Sequence, residues 1–281
     1  MAIFEKDGFK FYEGHYSNMV FDLNGVDLIN EINYIKNNKI KCLSISSYIK
    51  DLSFMSDLDF VEEIYFGKLS IDYNELYSLK KLKRICVNIE KGEPDLDYSR
   101  FSELEILSID WYAKFPDLTK NENLKELVIW KFKPKSKSFL ELRLPPKLEN
   151  LQITESNILN LEGLKLNNLK KFEGHYCNNL ESVQGIKEIS LNLDTFILDY
   201  CRKLTKYDDL KWGKQLEKII LGDCGNIPNL NWLKGLKKVN HFSFWNTLLV
   251  DGNIKPCLGI DYVSFKNAKH YNHNVEEFGK S

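Results

Sequence analysis

The chain has 281 residues, 43% of them hydrophobic, which is enough to build a sizeable core. Its 39 Lys and Arg residues nearly balance its 40 Asp and Glu residues, leaving a formal net charge of −1. This balance argues against nucleic acid as a partner, because such proteins carry an excess of positive charge. The sequence shows neither a recognisable secretion signal nor a run of about 18 apolar residues, so we also expect no membrane insertion.

The first 39 residues contain two predicted strands and one predicted helix. Residues 9–12 alternate in polarity like an edge strand, and residues 20–23 could pair with them. Residues 27–37 place apolar side chains at helical spacing, and Asp27 stands where it can cap the helix. We therefore predict that residues 1–39 form an N-terminal cap.

From Ile40 onward, a frame of the form apolar-x-x-apolar-x-apolar recurs eleven times, at intervals of 20 to 24 residues. Among its 33 anchor positions, only Gly174 is not Leu, Ile, Val or Phe. The second and third anchors are two residues apart, so both point to the same side of a short strand. One strand cannot bury that side alone, and the copies must therefore stack. The frames begin at Ile40, Val61, Leu82, Leu104, Leu124, Leu148, Leu169, Leu193, Leu216, Val239 and Ile260.

This period and pattern are the signature of the leucine-rich repeat family, which the chain resembles over about residues 40–266. The resemblance implies an α/β solenoid, a horseshoe with eleven short parallel strands on its concave face. Between frames, apolar residues recur every three positions, as in residues 157–164, which suits short 3₁₀ turns on the convex side. The chain is thus similar to the short-repeat bacterial type. Residues 267–281 are mostly polar and are predicted to form a C-terminal cap and tail.

Six cysteines are present, and three of them, Cys177, Cys201 and Cys224, occupy the ninth place of their frames. The leucine-rich repeat consensus has Asn or Cys at this place, buried where the chain leaves the sheet. No C-x-x-C pair exists, so we expect reduced, metal-free thiols rather than a zinc site or disulfides. Reduced cysteines fit a cytoplasmic protein.

The sequence lacks a convincing catalytic constellation. His175 and Cys177 are two residues apart, but Cys177 belongs to the buried row and His175 to the opposite face of the strand. His270 and His273 could form half of a metal site on a helical turn, although histidines in a polar tail are usually solvated. We therefore expect no enzymatic activity, no metal and no cofactor.

The residues that indicate a function are those that alternate with the core anchors along each strand. The fifth and seventh places of each frame point away from the core, and the eighth lies at the end of the strand. In frames four to nine, five acids and only one lysine, Lys131, stand at these places, together with Trp and Tyr, which are enriched at the centres of protein interfaces. The alternative is that the rings cover sheet edges or pack on one another. The predicted partner-binding residues are Asp110, Trp111, Trp130, Glu155, Glu173, His175, Tyr176, Asp199, Tyr200, Asp223 and Trp245.

One of the two longest intervals contains residues 131–137, where lysines alternate with other residues and Pro134 interrupts the pattern. We predict a solvated, charged loop. The alternative is that this segment contacts an acidic surface of a partner.

These observations favour a non-enzymatic protein, monomeric when free, that binds one protein partner with a basic surface. A lone repeat domain can act only by binding its partner, and the simplest effect of binding is to mask the partner's active surface. We therefore expect a cytoplasmic immunity-type inhibitor that masks a partner such as a basic toxin. The alternative is a secreted or surface effector or adhesin that engages a host protein.

Overall fold

The computed structural model describes residues 3–14, 17, 19–67, 73–88 and 96–278. The chain divides into two compact units, Met1–Leu124 and Lys125–Ser281, and the described residues of each contain seven strands. Among the described residues, no helix is long and apolar enough to cross a membrane.

In the first unit, β1 and β2 form an antiparallel hairpin, β2 pairs antiparallel with β3, and β3 to β7 run parallel in chain order. The predicted pairing of β2 with β3 is confirmed, whereas β1 was not predicted. The bounds are β1 Ile3–Lys6, β2 Phe9–Tyr12, β3 Val20–Leu23, β4 Cys42–Ile45, β5 Glu63–Phe66, β6 Arg84–Val87 and β7 Ile106–Asp110.

The one α-helix of the described residues, α1, spans Leu28–Asn38 in the first unit, as predicted. Asp27 caps it, and its side chain accepts a hydrogen bond from the Asn30 amide at 3.4 Å. The helix ends at Lys39, which adopts a left-handed conformation with φ of 50°. Its buried Glu31 accepts a hydrogen bond from the Gly25 amide at 2.9 Å, which ties the helix to the preceding turn.

In the second unit, all seven strands are parallel, and each pairs with the next along the chain. All eleven predicted frames of the chain have their strand, which begins two residues after the first anchor. Most described segments between them contain a 3₁₀ helix of three to five residues, which confirms the predicted short turns, but residues 157–164 form bends and a turn without a 3₁₀ helix. The bounds are β8 Glu126–Trp130, β9 Asn150–Thr154, β10 Lys171–His175, β11 Thr195–Asp199, β12 Lys218–Gly222, β13 His241–Trp245 and β14 Tyr262–Phe265.

The core consists of the anchors, as the frames predict. The second and third anchors of every frame are buried, and at Phe172 and Phe196 the rings of successive repeats stack with centroids 5.6 Å apart. Burial of one large apolar side chain stabilises a fold by roughly 1.5 to 3 kcal/mol, so burial of the anchors at equivalent places of stacked repeats is the main source of stability. Strand spacing, register and buried anchors together give both units the leucine-rich repeat fold.

The ninth places of the second unit form a buried row beside the strand ends. Its Cys177, Cys201 and Cys224 are buried, as predicted. Each thiol lies within 3.2 to 3.7 Å of a backbone carbonyl that it can donate to. At one end of the row, the Thr247 hydroxyl accepts a hydrogen bond from the Cys224 amide at 2.9 Å. The first six of its seven places hold the buried residues Phe132, Ser156, Cys177, Cys201, Cys224 and Thr247, and the seventh holds the half-buried Ala268.

The prediction of a solvated loop at residues 131–137 is wrong in part. Phe132 belongs to the ninth-place row and is fully buried, and Pro134 is buried as well. The carbonyl of Phe132 accepts a hydrogen bond from the Ser156 hydroxyl at 2.7 Å, so the segment is tied to the next repeat. In this segment Lys133, Lys135 and Lys137 are exposed, whereas Lys131 is half-buried.

Residues 267–278 cover the end of the second unit. The Leu249 amide donates to the Tyr271 hydroxyl at 2.9 Å, and the Leu249 carbonyl accepts from Nε2 of His270 at 2.8 Å. Phe278 is buried against Phe265 of the last strand. These contacts are consistent with a C-terminal cap, although the boundaries proposed for both caps stay a prediction. The last three residues of the predicted tail lie outside the described residues.

Candidate functional site

The outer face of the second unit is the side of its sheet that points away from the core. Parallel register aligns the seventh places of six successive frames across this face. Five strand spacings separate the ends of this row, which is about 24 Å. The row runs Trp130, Thr154, His175, Asp199, Gly222 and Trp245.

The eighth places form a second row along the edge of the outer face, and all six residues are left-handed, with φ between 45° and 56°. A left-handed conformation costs a residue with a side chain roughly 1 to 2 kcal/mol. Hydrogen bonds offset this cost. The amides of Glu155, Tyr176, Tyr200 and Asp223 each donate to the seventh-place carbonyl of the next strand at 2.9 to 3.0 Å. Sequence reasoning placed these residues at the strand end but missed their backbone conformation. The row is Lys131, Glu155, Tyr176, Tyr200, Asp223 and Asn246.

Large aromatic rings are accessible on these two rows. Trp130, Tyr176 and Trp245 are 40%, 45% and 42% exposed. Tyr176 and Tyr200 stack with centroids 4.6 Å apart and planes 12° apart, so the alternative that rings pack on one another holds for this pair. The stack still presents its outer surface, because Tyr176 is among the exposed large side chains.

Asp199, Gly222 and Trp245 are neighbours on β11, β12 and β13, and the carboxylate and the indole fill the space over the glycine. These residues are aligned in register, and a Cβ atom on Gly222 would collide with both the Trp245 ring and Oδ1 of Asp199. Glycine therefore lets the indole lie over the sheet next to the carboxylate. Burial is the main cause that raises the pKa of Asp199, and the nearby negative charge of Asp223 adds to it, while His175 acts in the opposite direction. Oδ1 of Asp199 is buried and has no hydrogen-bond partner.

Glu173 differs from Asp199, because its charge is neutralised within the outer face. Burial alone would raise its pKa, but a hydrogen bond at 3.1 Å to Nε2 of His175 and an ion pair with Lys171 outweigh burial and lower the pKa to about 2. The third places of the frames also lie on the outer face, and they add Lys171, Lys218 and Glu126 to the predicted charges. Because side chains alternate in direction along a strand, the sequence already predicts that third-place residues lie on the same face as fifth- and seventh-place residues. The predicted excess of five acids over one lysine is therefore too high.

Two of the predicted binding residues belong to the first unit. Asp110 is 7% exposed, so the prediction that it faces water is wrong. Asp110 occupies the seventh place of its frame, at the end of β7. The equivalent residue on β11, Asp199, is half-buried. Trp111 is half-buried and stacks on Phe115 with centroids 4.8 Å apart, which again matches the packing alternative.

The outer face of the first unit is partly covered by its own chain. Ser17, in the connection between β2 and β3, donates a hydrogen bond to Glu63 at 2.5 Å. Glu63 also forms an ion pair with Arg84 on the neighbouring strand. Gly14, in the same connection, lies close to the Tyr65 hydroxyl. These contacts leave the second unit with the more open aromatic surface.

A pocket of about 440 Å³ lies beside the eighth-place row of the second unit. Its wall contains Oδ1 of Asn157, a buried oxygen without a hydrogen-bond partner, next to the exposed ring of Tyr176. The pocket is lined by Lys133, Glu155, Ser156, Asn157, Tyr176, Asn178 and Asn179.

The histidines considered as half of a metal site have separate protein partners. Nδ1 of His273 lies 2.8 Å from a carboxylate oxygen of Glu277, and His270 is hydrogen-bonded to the Leu249 carbonyl. In the described part of the chain, no group of three or more His, Cys, Asp or Glu side chains is arranged to hold a metal ion.

Comparison with known proteins identifies related architectures at low similarity. No protein-family model matches the sequence, and no curated protein matches it significantly. An internalin from Listeria monocytogenes is 19% identical, with 89% of this chain and 87% of that chain covered and a TM-score of 0.44. The leucine-rich repeat domain of the type III effector XopL is 16% identical, with 82% and 77% covered and a TM-score of 0.42. The fold assignment accordingly rests on the repeat spacing and register of this chain.

Proposed function

We propose that this chain is a protein-binding leucine-rich repeat protein that uses the outer face of its second unit. The observation that carries the proposal is the row of exposed rings, Trp130, Tyr176 and Trp245, at places that the core does not require. Large exposed rings are unfavourable in water, and Trp and Tyr supply most of the energy at the centres of protein interfaces.

The charge of this face supports a partner with basic groups. Glu155 is exposed at the eighth place, and Asp199 and Asp223 lie half-buried nearby. Lys171 is already paired with Glu173, and with Lys131 and Lys218 also on this face the three acids exceed the remaining lysines by one. Complementary charge of this kind mainly speeds association and selects the partner.

The rigid presentation of these side chains supports binding as well. The seventh-place row lies on regular strands, and hydrogen bonds at 2.9 to 3.0 Å hold the left-handed eighth-place backbone. Side chains held in place before binding lose less conformational entropy when the partner docks.

A binding face that acts without catalytic groups affects its partner by covering part of the partner's surface. We propose that the chain acts as an immunity-type inhibitor in the cytoplasm, covering a basic functional surface of its partner, for example a toxin. The buried cysteines support a reducing compartment, because buried thiols such as Cys177 and Cys201 remain unpaired in the structure. Cell fractionation tests this compartment, and recovery of the chain in the culture medium would favour an exported effector or adhesin instead.

The test of the binding face is affinity capture with matched variants. The parent protein, the triple variant W130A/Y176A/W245A and the control W212A are immobilised and exposed to lysate of the source organism. Trp212 is a suitable control because it is 41% exposed but lies in the 3₁₀ segment Asp208–Trp212 rather than on the sheet. We expect one protein to be captured by the parent and by W212A but not by the triple variant. Equal capture by all three would contradict the proposed face.

A further inference from the structure

The pocket beside the eighth-place row, the Tyr176 pocket, has polar groups that the fold does not use. Its volume of about 440 Å³ lies in the range of small-ligand sites, and it opens to solvent. The side chains of Lys133, Glu155 and Asn178 on its walls are exposed, and in the described part of the chain they form no hydrogen bond or ion pair. Donors and acceptors are therefore available together to an entering molecule.

The ring of Tyr176 gives the pocket one flat apolar wall. The residue is 45% exposed, and one face of its ring stacks on Tyr200 with centroids 4.6 Å apart. Tyr200 is not among the lining residues, which come from the repeat of Tyr176 and the two repeats before it, so the pocket lies on the opposite side of the ring. A ring face of this kind favours contact with C–H groups.

The walls of the pocket are held in place by contacts that leave these polar groups free. The Ser156 hydroxyl donates to the Phe132 carbonyl at 2.7 Å, and Oδ1 of Asn179 accepts a hydrogen bond from Nζ of Lys203 at 3.0 Å. The backbone amides of Glu155 and Tyr176 are bonded to the next strand at 2.9 Å. A site that is ordered before binding loses less conformational entropy when its ligand enters.

Charge and size disfavour several classes of ligand. The ammonium group of Lys133 and the carboxylate of Glu155 have opposite charges, so neither a cation nor an anion is attracted by the pocket as a whole. The polar lining disfavours an apolar ligand, because its groups would lose water without gaining hydrogen bonds. The volume is that of a site for a whole small molecule, which is more than one partner side chain would fill.

We propose that the Tyr176 pocket binds a neutral sugar ring, a ligand beyond the protein partner of the proposed function. Sugar hydroxyls both donate and accept hydrogen bonds, so one uncharged ring can use the carboxylate of Glu155 and the ammonium group of Lys133 together. The C–H face of the ring is flat and apolar, which suits the wall formed by Tyr176. Such a ring occurs either as a free sugar or at the end of a glycan.

The experiment is an NMR titration of the full chain with glucose, galactose and N-acetylglucosamine, each also as its methyl β-glycoside. The side-chain amide signals of Asn178, identified by their loss in N178D, are the readout. We expect saturable shifts with at least one of these sugars at a Kd on the order of 1 to 10 mM. Equal binding of the methyl glycoside would indicate a ring linked in a glycan, whereas binding of the free sugar alone would indicate a free ligand.

Sorbitol is the matched control ligand. It carries the hydroxyls of glucose on an open chain and has no preformed ring face. It should therefore give no saturable shift, because the chain would have to be ordered on binding and offers no flat surface to Tyr176.

Variants locate the effect. Y176A removes the aromatic wall and should weaken binding at least about threefold. Its control, Y48A, removes a tyrosine that is 81% exposed in the first unit and should leave the affinity unchanged within about twofold. E155A removes an acceptor and should weaken binding about tenfold, whereas E155Q keeps an acceptor without the charge and should stay within about threefold of the parent.

Three results would overturn the sugar pocket: no saturable shift with any of the sugars, equal binding of sorbitol, or equal weakening by E155Q and E155A, which would indicate recognition of charge. Failure of the proposed function gives a different pattern. The variant W130A/W245A lacks two exposed rings that lie outside the pocket lining, so it should bind the sugar like the parent. If it also captures the protein partner like the parent, the proposed binding face is wrong while the sugar pocket stands.

Discussion

Two acids on the outer face, Glu173 and Asp199, illustrate how local partners decide what a residue contributes. Glu173 is hydrogen-bonded to His175 and paired with Lys171, and its pKa falls to about 2. Asp199 lies on the next strand, aligned with His175, but burial raises its pKa and its Oδ1 lacks a donor. The first acid stabilises the fold, whereas the second carries an unfavourable charge of the kind that binding sites retain.

We predict opposite effects on stability when these acids are neutralised. E173Q should lower the free energy of unfolding at pH 7 by about 1 to 2 kcal/mol, because a charge-assisted pair is lost. Its folded pKa lies below the unfolded value, so this stabilisation is present above about pH 4.5 and lost as pH falls toward 2. The measurement is urea unfolding of parent and E173Q at several pH values from 7 down to 3.5. A difference that is constant over this range would contradict the assignment.

D199N should instead raise the melting temperature at pH 7. The folded pKa of Asp199 is raised, so its penalty is absent at low pH and appears as pH rises through that pKa. The gain of D199N over the parent should therefore shrink on acidification. Thermal melts at pH 7 and pH 4 check this, and a loss of stability in D199N at pH 7 would show that the carboxylate has a stabilising partner.

Buried thiols are a third feature of individual residues. Burial raises the pKa of Cys257 to about 12, and the pKa of Cys201 is raised by its hydrogen bond with Cys177 and by burial. We predict that iodoacetamide at pH 8 labels these two cysteines slowly in the native protein and rapidly in urea, as measured by mass spectrometry. Rapid labelling of Cys201 without denaturant would contradict the buried ninth-place row.

Among the secondary-structure elements, the sequence predicted the strands of the frames. It did not predict the first hairpin strand or the backbone conformation that follows each strand. Anchor spacing located all eleven frame strands, because a buried strand face demands apolar residues at period two. The hairpin strand β1 escaped prediction, since Ile3 is exposed and only Phe4 of its four residues is half-buried. The left-handed row also escaped, because residues as different as Glu155, Tyr176 and Asp223 adopt the same φ and share no side-chain signal.

The left-handed row itself predicts how substitutions act. E155G should raise the melting temperature, because glycine adopts φ of 55° without steric strain. E155V should lower the free energy of unfolding by about 1 to 2 kcal/mol, because a β-branched side chain resists this conformation. Q152V, a change to the same residue on extended backbone in β9, serves as the control and should be nearly neutral. Equal melting temperatures for E155G and E155V would rule out backbone strain at this place.

At the scale of the whole molecule, the repeat architecture was predictable because the period recurs throughout the chain. The candidate site was predictable only as a set of positions. Sequence alone gave Trp130, Tyr176 and Trp245 an outward direction, and the structure confirms their exposure. It could not show the burial of Asp110 or the pairing of Glu173, because both depend on neighbours from other repeats.

The proposed function predicts that affinity for the partner is lost only when the outer face of the second unit is changed. The most direct measurement is titration calorimetry of the purified partner against the parent, W245A and W212A, with thermal melts to verify folding. Both tryptophans are about equally exposed, at 42% and 41%, so truncation removes similar accessible surface. We predict that W245A weakens binding by at least about 2 kcal/mol and W212A by less than about 0.5 kcal/mol. Full affinity in W245A with loss of affinity in W212A would contradict binding through the outer face.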